Sequence, residues 1–219
     1  MSDAKKLHNF YDSEQGKIFS WFLRREIFRR WDIFEEDKAA ALGFTSPYRK
    51  LFGKKNFISL SNEPIANSVH ISEAQLPFRN AELKRVFAIH YLENVHIPFL
   101  ALQEIWRALE PNGSFLLVVP NKKSLWKNSD IAGKESFSEK DMREMLIANK
   151  FYIREVSQAV FYPPWMTSEY TKLFKYFPFF GAVTIFHTQK IIFPNRGRPI
   201  RISTSLREWA LTKKKTANV

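Results

Sequence analysis

Side chains capable of acid–base chemistry stand where the predicted strands of this chain end. His90 closes the apolar run 85–90, Tyr91 follows it, and Asn121 comes just after the apolar run 115–119. A histidine or tyrosine at such a position can serve as a general base when the reacting group carries a proton. Ligands of open α/β sheets bind beyond the carboxyl ends of the strands. We therefore treat His90, Tyr91 and Asn121 as candidate catalytic residues.

The stretch that holds these residues predicts one strand–helix–strand unit. The helix is predicted over Pro98–Glu110, because its apolar residues fall on one face at helical spacing. They are Phe99, Leu102, Ile105, Trp106 and Leu109. The uninterrupted run Phe115–Val119 is typical of a parallel strand that is covered on both faces. The unit therefore predicts two parallel strands joined by a helix.

Further patterns predict the rest of an α/β fold. Strands are predicted at 38–42, 56–60, 68–71 and 151–156 and within 183–193, and helices at 17–34 and 139–149 with Ser138 as N-cap. Residues 1–16 are polar and are expected to be only partly ordered at their start. Alternating strands and helices predict an open, mainly parallel sheet with helices on both faces. We expect one domain over 1–193 and a basic, partly flexible tail over 194–219.

Composition excludes some chemistry and favours anionic partners. The chain has no cysteine, which excludes disulfides and thiolate catalysis, and its five histidines lack the spacing of a metal site. Thirty-four basic residues against 22 acidic give a net charge of +12. Such a charge favours a nucleic acid, contacted for example through the basic tail, or a membrane surface.

The segments 17–34 and 161–180 can each be interpreted in two ways. The helix 17–34 either packs on the sheet or lies on an anionic membrane, since arginines interrupt its apolar residues. We find no apolar run long enough to span a membrane and no signal peptide, so we expect a cytoplasmic protein, with peripheral membrane association as the alternative. The aromatic-rich segment 161–180 is either a lid beside the strand ends or an insertion packed on the core.

Four stretches together resemble the class I S-adenosylmethionine-dependent methyltransferases. They are Leu76-Pro-Phe78, the strand with His90-Tyr-Leu-Glu93, the run Glu104-Ile-Trp-Arg107-Ala-Leu-Glu-Pro-Asn-Gly113, and 115–121. The resemblance implies a Rossmann-like fold and S-adenosylmethionine as cofactor, and it leaves the methyl acceptor open. Phe10-Tyr11 with Gly16, and 161–165, are similar to a little-characterised bacterial subgroup of these proteins.

The same resemblance assigns the cofactor contacts. The family has G-x-G-x-G after its first strand, where this chain keeps Gly43 and has Thr45 and Pro47 at the other glycine positions. The resemblance implies cofactor contacts from Gly43, Phe44, Thr45, Ser61, Glu63 and Glu73. Ser61 stands where the family has an acid for the ribose, with Glu63 two residues later. Two hypotheses follow: the chain methylates with a weakly held cofactor, or it has lost the cofactor and is a binding module for an anionic partner such as a membrane surface or RNA.

Overall fold

The computed structural model describes residues 3–30, 38–51, 57–61, 69–70, 75–132, 137–161, 163 and 181–192. The helices in this part of the chain are α1 (Asp3–Asp12), α2 (Glu14–Arg30), α3 (Pro98–Ala108) and α4 (Glu139–Ala148). The strands are β1 (Ala39–Gly43), β2 (Phe57–Ser61), β3 (Val69–His70), β4 (Leu83–Ile89), β5 (Leu109–Pro120), β6 (Phe151–Ala159) and β7 (Val183–Lys190).

The strands form one open, mainly parallel sheet in the order β3-β2-β1-β4-β5-β7-β6. The neighbours from β3 to β5 run parallel, whereas β7 is antiparallel to both β5 and β6. The strand order reverses between β1 and β4, which makes their carboxyl ends the topological switch point of the sheet. The predicted fold class is confirmed.

The predicted β4–α3–β5 unit is also confirmed. Pro98 occupies the first turn of α3, where a missing amide donor is harmless. The helix buries Leu102 and Ile105, while Phe99 and Trp106 pack half-buried at its edge. It ends at Ala108, before the predicted Glu110, because Leu109 is already extended and starts β5.

Both faces of the sheet are covered, which explains the uninterrupted apolar run in β5. Phe115, Leu117 and Val119 face a core shared with α3 and α4. Leu116 and Val118 face a second core shared with α1 and α2. Alternate residues of one strand therefore enter two separate cores, and no position along the run is left for a polar side chain.

The N-terminal region differs from its prediction. Residues 3–12 form α1, a helix for which no element was predicted, and Leu7, Phe10 and Tyr11 are buried in the second core. Helix α2 begins at Glu14 rather than Lys17, and the predicted end at Phe34 lies outside the described residues. At Gly16 a Cβ would lie 1.9 Å from the Phe10 carbonyl oxygen, so the two helices touch there backbone to backbone.

The remaining elements overlap their predictions where the structure describes them, and β6 continues to Ala159, beyond its predicted end at 156. Asp141 N donates to Ser138 Oγ and Ser138 N to Asp141 Oδ2, both at 3.2 Å, which completes the capping box of α4. Most of the aromatic segment 161–180 and all of the tail 194–219 lie outside the described residues. No helix within the described ranges combines the length and apolarity needed to cross a membrane.

The central position of β5 gives a stability prediction. Leu117 is fully buried, so Leu117→Ala should lower the free energy of unfolding by about 2–5 kcal/mol. The control is Ile147→Ala on α4, whose side chain is 44% exposed and should change the value by less than about 0.5 kcal/mol. Urea unfolding followed by circular dichroism measures both. Equal effects of the two variants would contradict the placement of β5.

Candidate active site

The candidate site lies at the switch point, where β1 and β4 end side by side. Gly43 and Ile89 are the last paired residues of these strands, and Phe44 N donates to the Ile89 carbonyl oxygen at 2.9 Å. His90 follows with φ of 50°, a left-handed conformation that is uncommon for a residue other than glycine. This backbone turn directs the chain from β4 across the crevice in which the fold places ligands.

A chain of hydrogen bonds runs beneath this crevice. Tyr48 OH donates to Tyr11 OH at 3.1 Å, and Tyr11 OH lies 2.9 Å from His90 Nε2. On the other side of the ring, His90 Nδ1 lies 2.9 Å from Glu93 Oε1. All four side chains are buried. These hydrogen bonds connect a tyrosine of α1 with the turn after β1 and with the loop after β4.

One arrangement of protons satisfies all of these contacts. In it Tyr11, whose oxygen accepts from Tyr48, donates to His90 Nε2. His90 Nδ1–H then donates to Glu93 Oε1. Both ring nitrogens of His90 are therefore engaged within the protein. As packed, His90 has no nitrogen available to a substrate.

Sequence reasoning missed Tyr11 and Tyr48 as parts of this site. Tyr11 lies 79 residues before His90, so no local pattern connects them. The subgroup resemblance includes Phe10-Tyr11 but gives the tyrosine no role. Glu93 belongs to one of the stretches that carry the family resemblance, which gives it no role. Its spacing of three residues from His90 is the signal that could have indicated a pair.

The residues assigned to the cofactor after β1 contact other parts of the protein. A Cβ on Gly43 would lie 2.4 Å from the Ile89 carbonyl oxygen and 2.9 Å from Tyr91 Cβ. Phe44, another residue assigned to the cofactor, stacks on Tyr11 with ring centroids 5.1 Å apart. Thr45 Oγ1 lies 3.0 Å from Ser59 Oγ. Position 43 therefore requires glycine, because β4 and the loop after it approach the Gly43 backbone too closely for a Cβ atom.

The other candidates are dispersed. Tyr91 is buried behind Gly43. Asn121 Nδ2 donates to the Gly181 carbonyl oxygen at 2.9 Å, and its backbone amide donates to Ala182, which fastens the end of β5 to the start of β7. Ser61 ends β2, and nothing is described of its side chain. Glu63 and Glu73 lie outside the described residues.

The described part of the crevice does not fit S-adenosylmethionine as it is packed. The space beside Gly43 is filled by Ile89 and Tyr91, and the face of Phe44 is covered by Tyr11. The loop after β4 nevertheless holds two buried acceptors, Glu93 Oε2 and Asn94 Oδ1, that have no hydrogen-bond partner among the described residues. Unpaired buried acceptors of this kind are rare and call for an explanation.

A cleft of about 180 Å³ adjoins His90. It is lined by Lys6, Leu7, His90, Asn94 and residues 128–132. Small-molecule pockets usually have volumes of about 300–1,000 Å³, so this cleft alone is too small for a nucleoside cofactor. Within the described residues, no group of histidine and acidic side chains could hold a metal ion.

The E-x-x-R motif of the resemblance has a structural role. Glu104 and Arg107 pair on α3 at 2.8 Å, and Arg107 also donates to the carbonyl oxygens of Phe78 and Leu76. The Leu76 amide donates in return to Glu104 at 3.1 Å. The hydrogen bond with Arg107 lowers the pKa of Glu104 below its usual value. The motif therefore ties the Leu-Pro-Phe loop to α3, away from the strand ends.

Comparisons with known proteins agree with this architecture. The family model described as "Methyltransferase domain" matches residues 50–117. A SAM-dependent methyltransferase from Thermotoga maritima superposes with TM-score 0.62 and 14% identity, covering 85% of this chain and 96% of that one. A SAM-dependent methyltransferase from Aquifex aeolicus gives 0.62 and 12%, with 87% and 100% covered.

The [4+2]-cyclase SpnF also superposes, with TM-score 0.60 and 12% identity over 78% of this chain and 80% of that one. No curated protein matches the chain. The chain therefore has the fold of the class I S-adenosylmethionine-dependent methyltransferases. Identities this low establish the fold and leave the activity to be argued from the site.

The buried hydrogen-bond chain gives a pH prediction. Burial raises the pKa of Tyr48, and this effect exceeds the opposing effect of its hydrogen bond with Tyr11. In the unfolded chain a tyrosine ionises near pH 10, so above about pH 10 the unfolded state holds fewer protons than the folded state. The free energy of unfolding should therefore fall as the pH rises above about 10.

Tyr48→Phe should reduce this alkaline loss of stability, although it should also lower stability at pH 8 by about 1 kcal/mol through the lost hydrogen bonds. Urea unfolding between about pH 8 and pH 11 measures both effects. Tyr152→Phe on β6, where the side chain is 50% exposed, serves as control and should keep the wild-type pH dependence. Parallel curves for the wild type and Tyr48→Phe would contradict the burial argument.

Proposed function

We propose that this chain is an S-adenosylmethionine-dependent methyltransferase whose crevice admits the cofactor only when the side chain of Tyr11 leaves it. The match to the methyltransferase domain family and the sheet order with its switch point support the activity. The packing around Gly43 and Phe44 supports the restriction. The methyl acceptor is left open.

The main support for the proposal is the position of the Tyr11 side chain. Its ring stacks on Phe44, and its hydroxyl bonds to His90, so it makes an aromatic contact and a polar contact at the switch point. Those are the kinds of contact by which pockets orient small molecules. Tyr11 thus makes, from within the chain, the contacts that a ligand would make.

Departure of Tyr11 would change what His90 can do. Its Nε2 would lose its hydrogen-bond donor and face the crevice, while Nδ1–H stayed bonded to Glu93. A histidine held in this tautomer by a carboxylate can accept a proton at Nε2. His90 is accordingly the residue proposed to take a proton from an acceptor group, with Glu93 fixing its orientation.

A second candidate function is a binding module without cofactor. The contact of Gly16 with Phe10 favours it, because it holds α1 firmly on α2 and keeps Tyr11 in place. The buried side chains of Leu7, Phe10 and Tyr11 also pack α1 against the second core. In this candidate, Tyr11 is a permanent part of the core and the crevice has no ligand.

Calorimetric titration with S-adenosylmethionine distinguishes the two. In the wild type, the cofactor must break the Tyr11 hydrogen bonds before it binds, so binding should be weak or undetectable. Tyr11→Ala removes that obstacle and should strengthen binding by roughly ten- to a hundredfold, corresponding to about 1 kcal/mol for each contact broken. Tyr11→Phe, which keeps the stacking ring, should give a smaller gain.

The control is Tyr152→Ala, which removes an exposed tyrosine far along the sheet order and should leave binding unchanged. Circular dichroism must show that every variant is folded. Absence of heat in folded Tyr11→Ala would reject the methyltransferase and favour the binding module. Tight binding by the wild type that is indifferent to Tyr11 would show that the cofactor is held elsewhere.

A further inference from the structure

Helix α2 has two faces of different character. Its inward residues Phe19, Leu23 and Ile27 are fully buried in the second core. On the outward face Trp21 is 56% exposed and Phe28 is 69% exposed. The inward face is sufficient to hold the helix on the sheet, so these two outward aromatics are not needed for packing.

The outward aromatics share one stripe with cations. Positions four and three residues apart are neighbours on a helix surface, so Trp21, Arg25 and Phe28 follow one another along α2. The Arg25 guanidinium lies 5.5 Å from the Trp21 ring centroid, and the edge of Phe22 contacts the same ring. Lys17 and Arg29 are also exposed along this side. We call Lys17, Trp21, Arg25, Phe28 and Arg29 the outer stripe.

The other charges near the stripe leave this face positive. Arg29 pairs with Glu26 at 3.3 Å, and the Glu26 side chain is only 16% exposed. Glu14 is exposed at the start of the helix, one turn before Lys17. Arg24 donates to the Pro47 carbonyl oxygen and belongs to the packed side. The exposed centre of the stripe therefore presents an arginine between two large aromatic rings.

We propose that the outer stripe of α2 docks this protein on an anionic bilayer. Single exposed apolar residues need no explanation, but two large aromatics aligned with cations on one convex face match an interfacial helix. Tryptophan favours the interface between headgroups and acyl chains, and lysine and arginine are attracted to anionic lipids. None of the outer-stripe residues is among those that form the crevice, so the inference goes beyond the proposed methyl transfer.

A bilayer suits this surface better than a nucleic acid does. Proteins that bind single strands combine aromatic platforms with a groove that follows the phosphate backbone. The outer stripe instead lies on the convex side of one helix, and a flat, deformable surface can contact all of it at once. Docking requires no change in α2, because its inward face stays packed.

Vesicle flotation tests the proposal with the full chain. Vesicles of phosphatidylcholine mixed with phosphatidylglycerol should carry the wild type upward, and vesicles of phosphatidylcholine alone should not. The double variant Trp21→Ser, Phe28→Ser should weaken partitioning by roughly ten- to a hundredfold, since each ring loses its apolar burial. Arg25→Gln should weaken it about fivefold, and more salt should act in the same direction.

The matched control is Ile147→Ser, Tyr152→Ser, which removes two large exposed side chains from α4 and β6. It should bind vesicles like the wild type. The proposal is overturned if the wild type does not float with anionic vesicles, or if the control loses binding as strongly as the stripe variant. Salt-sensitive binding to an RNA oligonucleotide without vesicle binding would also overturn it and assign the cations to nucleic acid.

Discussion

The burial of Glu93 is the constraint on which the carboxyl end of the sheet depends. A carboxylate removed from water must be hydrogen-bonded, and Glu93 obtains one bond from His90 Nδ1. His90 in turn needs a donor at Nε2, and Tyr11 supplies it. One buried acid after β4 therefore requires a tyrosine from the other end of the chain, and with it the docking of α1. The docking of α1 in turn requires glycine at position 16 of α2, because the Gly16 backbone touches the Phe10 carbonyl group.

The parts of the fold that follow from local physics could be predicted from the sequence. Burial can be predicted directly from the uninterrupted apolar run Phe115–Val119 and from the apolar face of α3. The start of α4 can be predicted from the capping box of Ser138 and Asp141. The docking of α1 could not be predicted in this way. Its apolar residues Leu7, Phe10 and Tyr11 are few, and their partners lie far along the chain, so the segment looks polar until the sheet is in place.

The candidate site was harder to predict than the fold for a related physical reason. The position of His90 at a strand end can be predicted from the sequence. Whether its Nε2 can contact a ligand depends on the hydroxyl of Tyr11, 79 residues away. The signature residues Glu104 and Arg107 hold a loop against a helix, so they would be retained by selection for stability with or without catalysis. A motif of this kind identifies an architecture, and the side chains around His90 decide how that architecture is used.

The place of β7 in the sheet has a consequence for the order in which the protein assembles. The edge strand β6 pairs with β7, and β7 lies between β6 and β5 although it follows both along the chain. While the chain is being synthesised, residues 151–159 are made before the strand that will hold them in the sheet. Until residue 190 has emerged, the apolar edge of β5 is an open strand edge, which is prone to mispairing with another chain. The parallel half from β3 to β5 can form early, whereas the antiparallel half must close in a single late step.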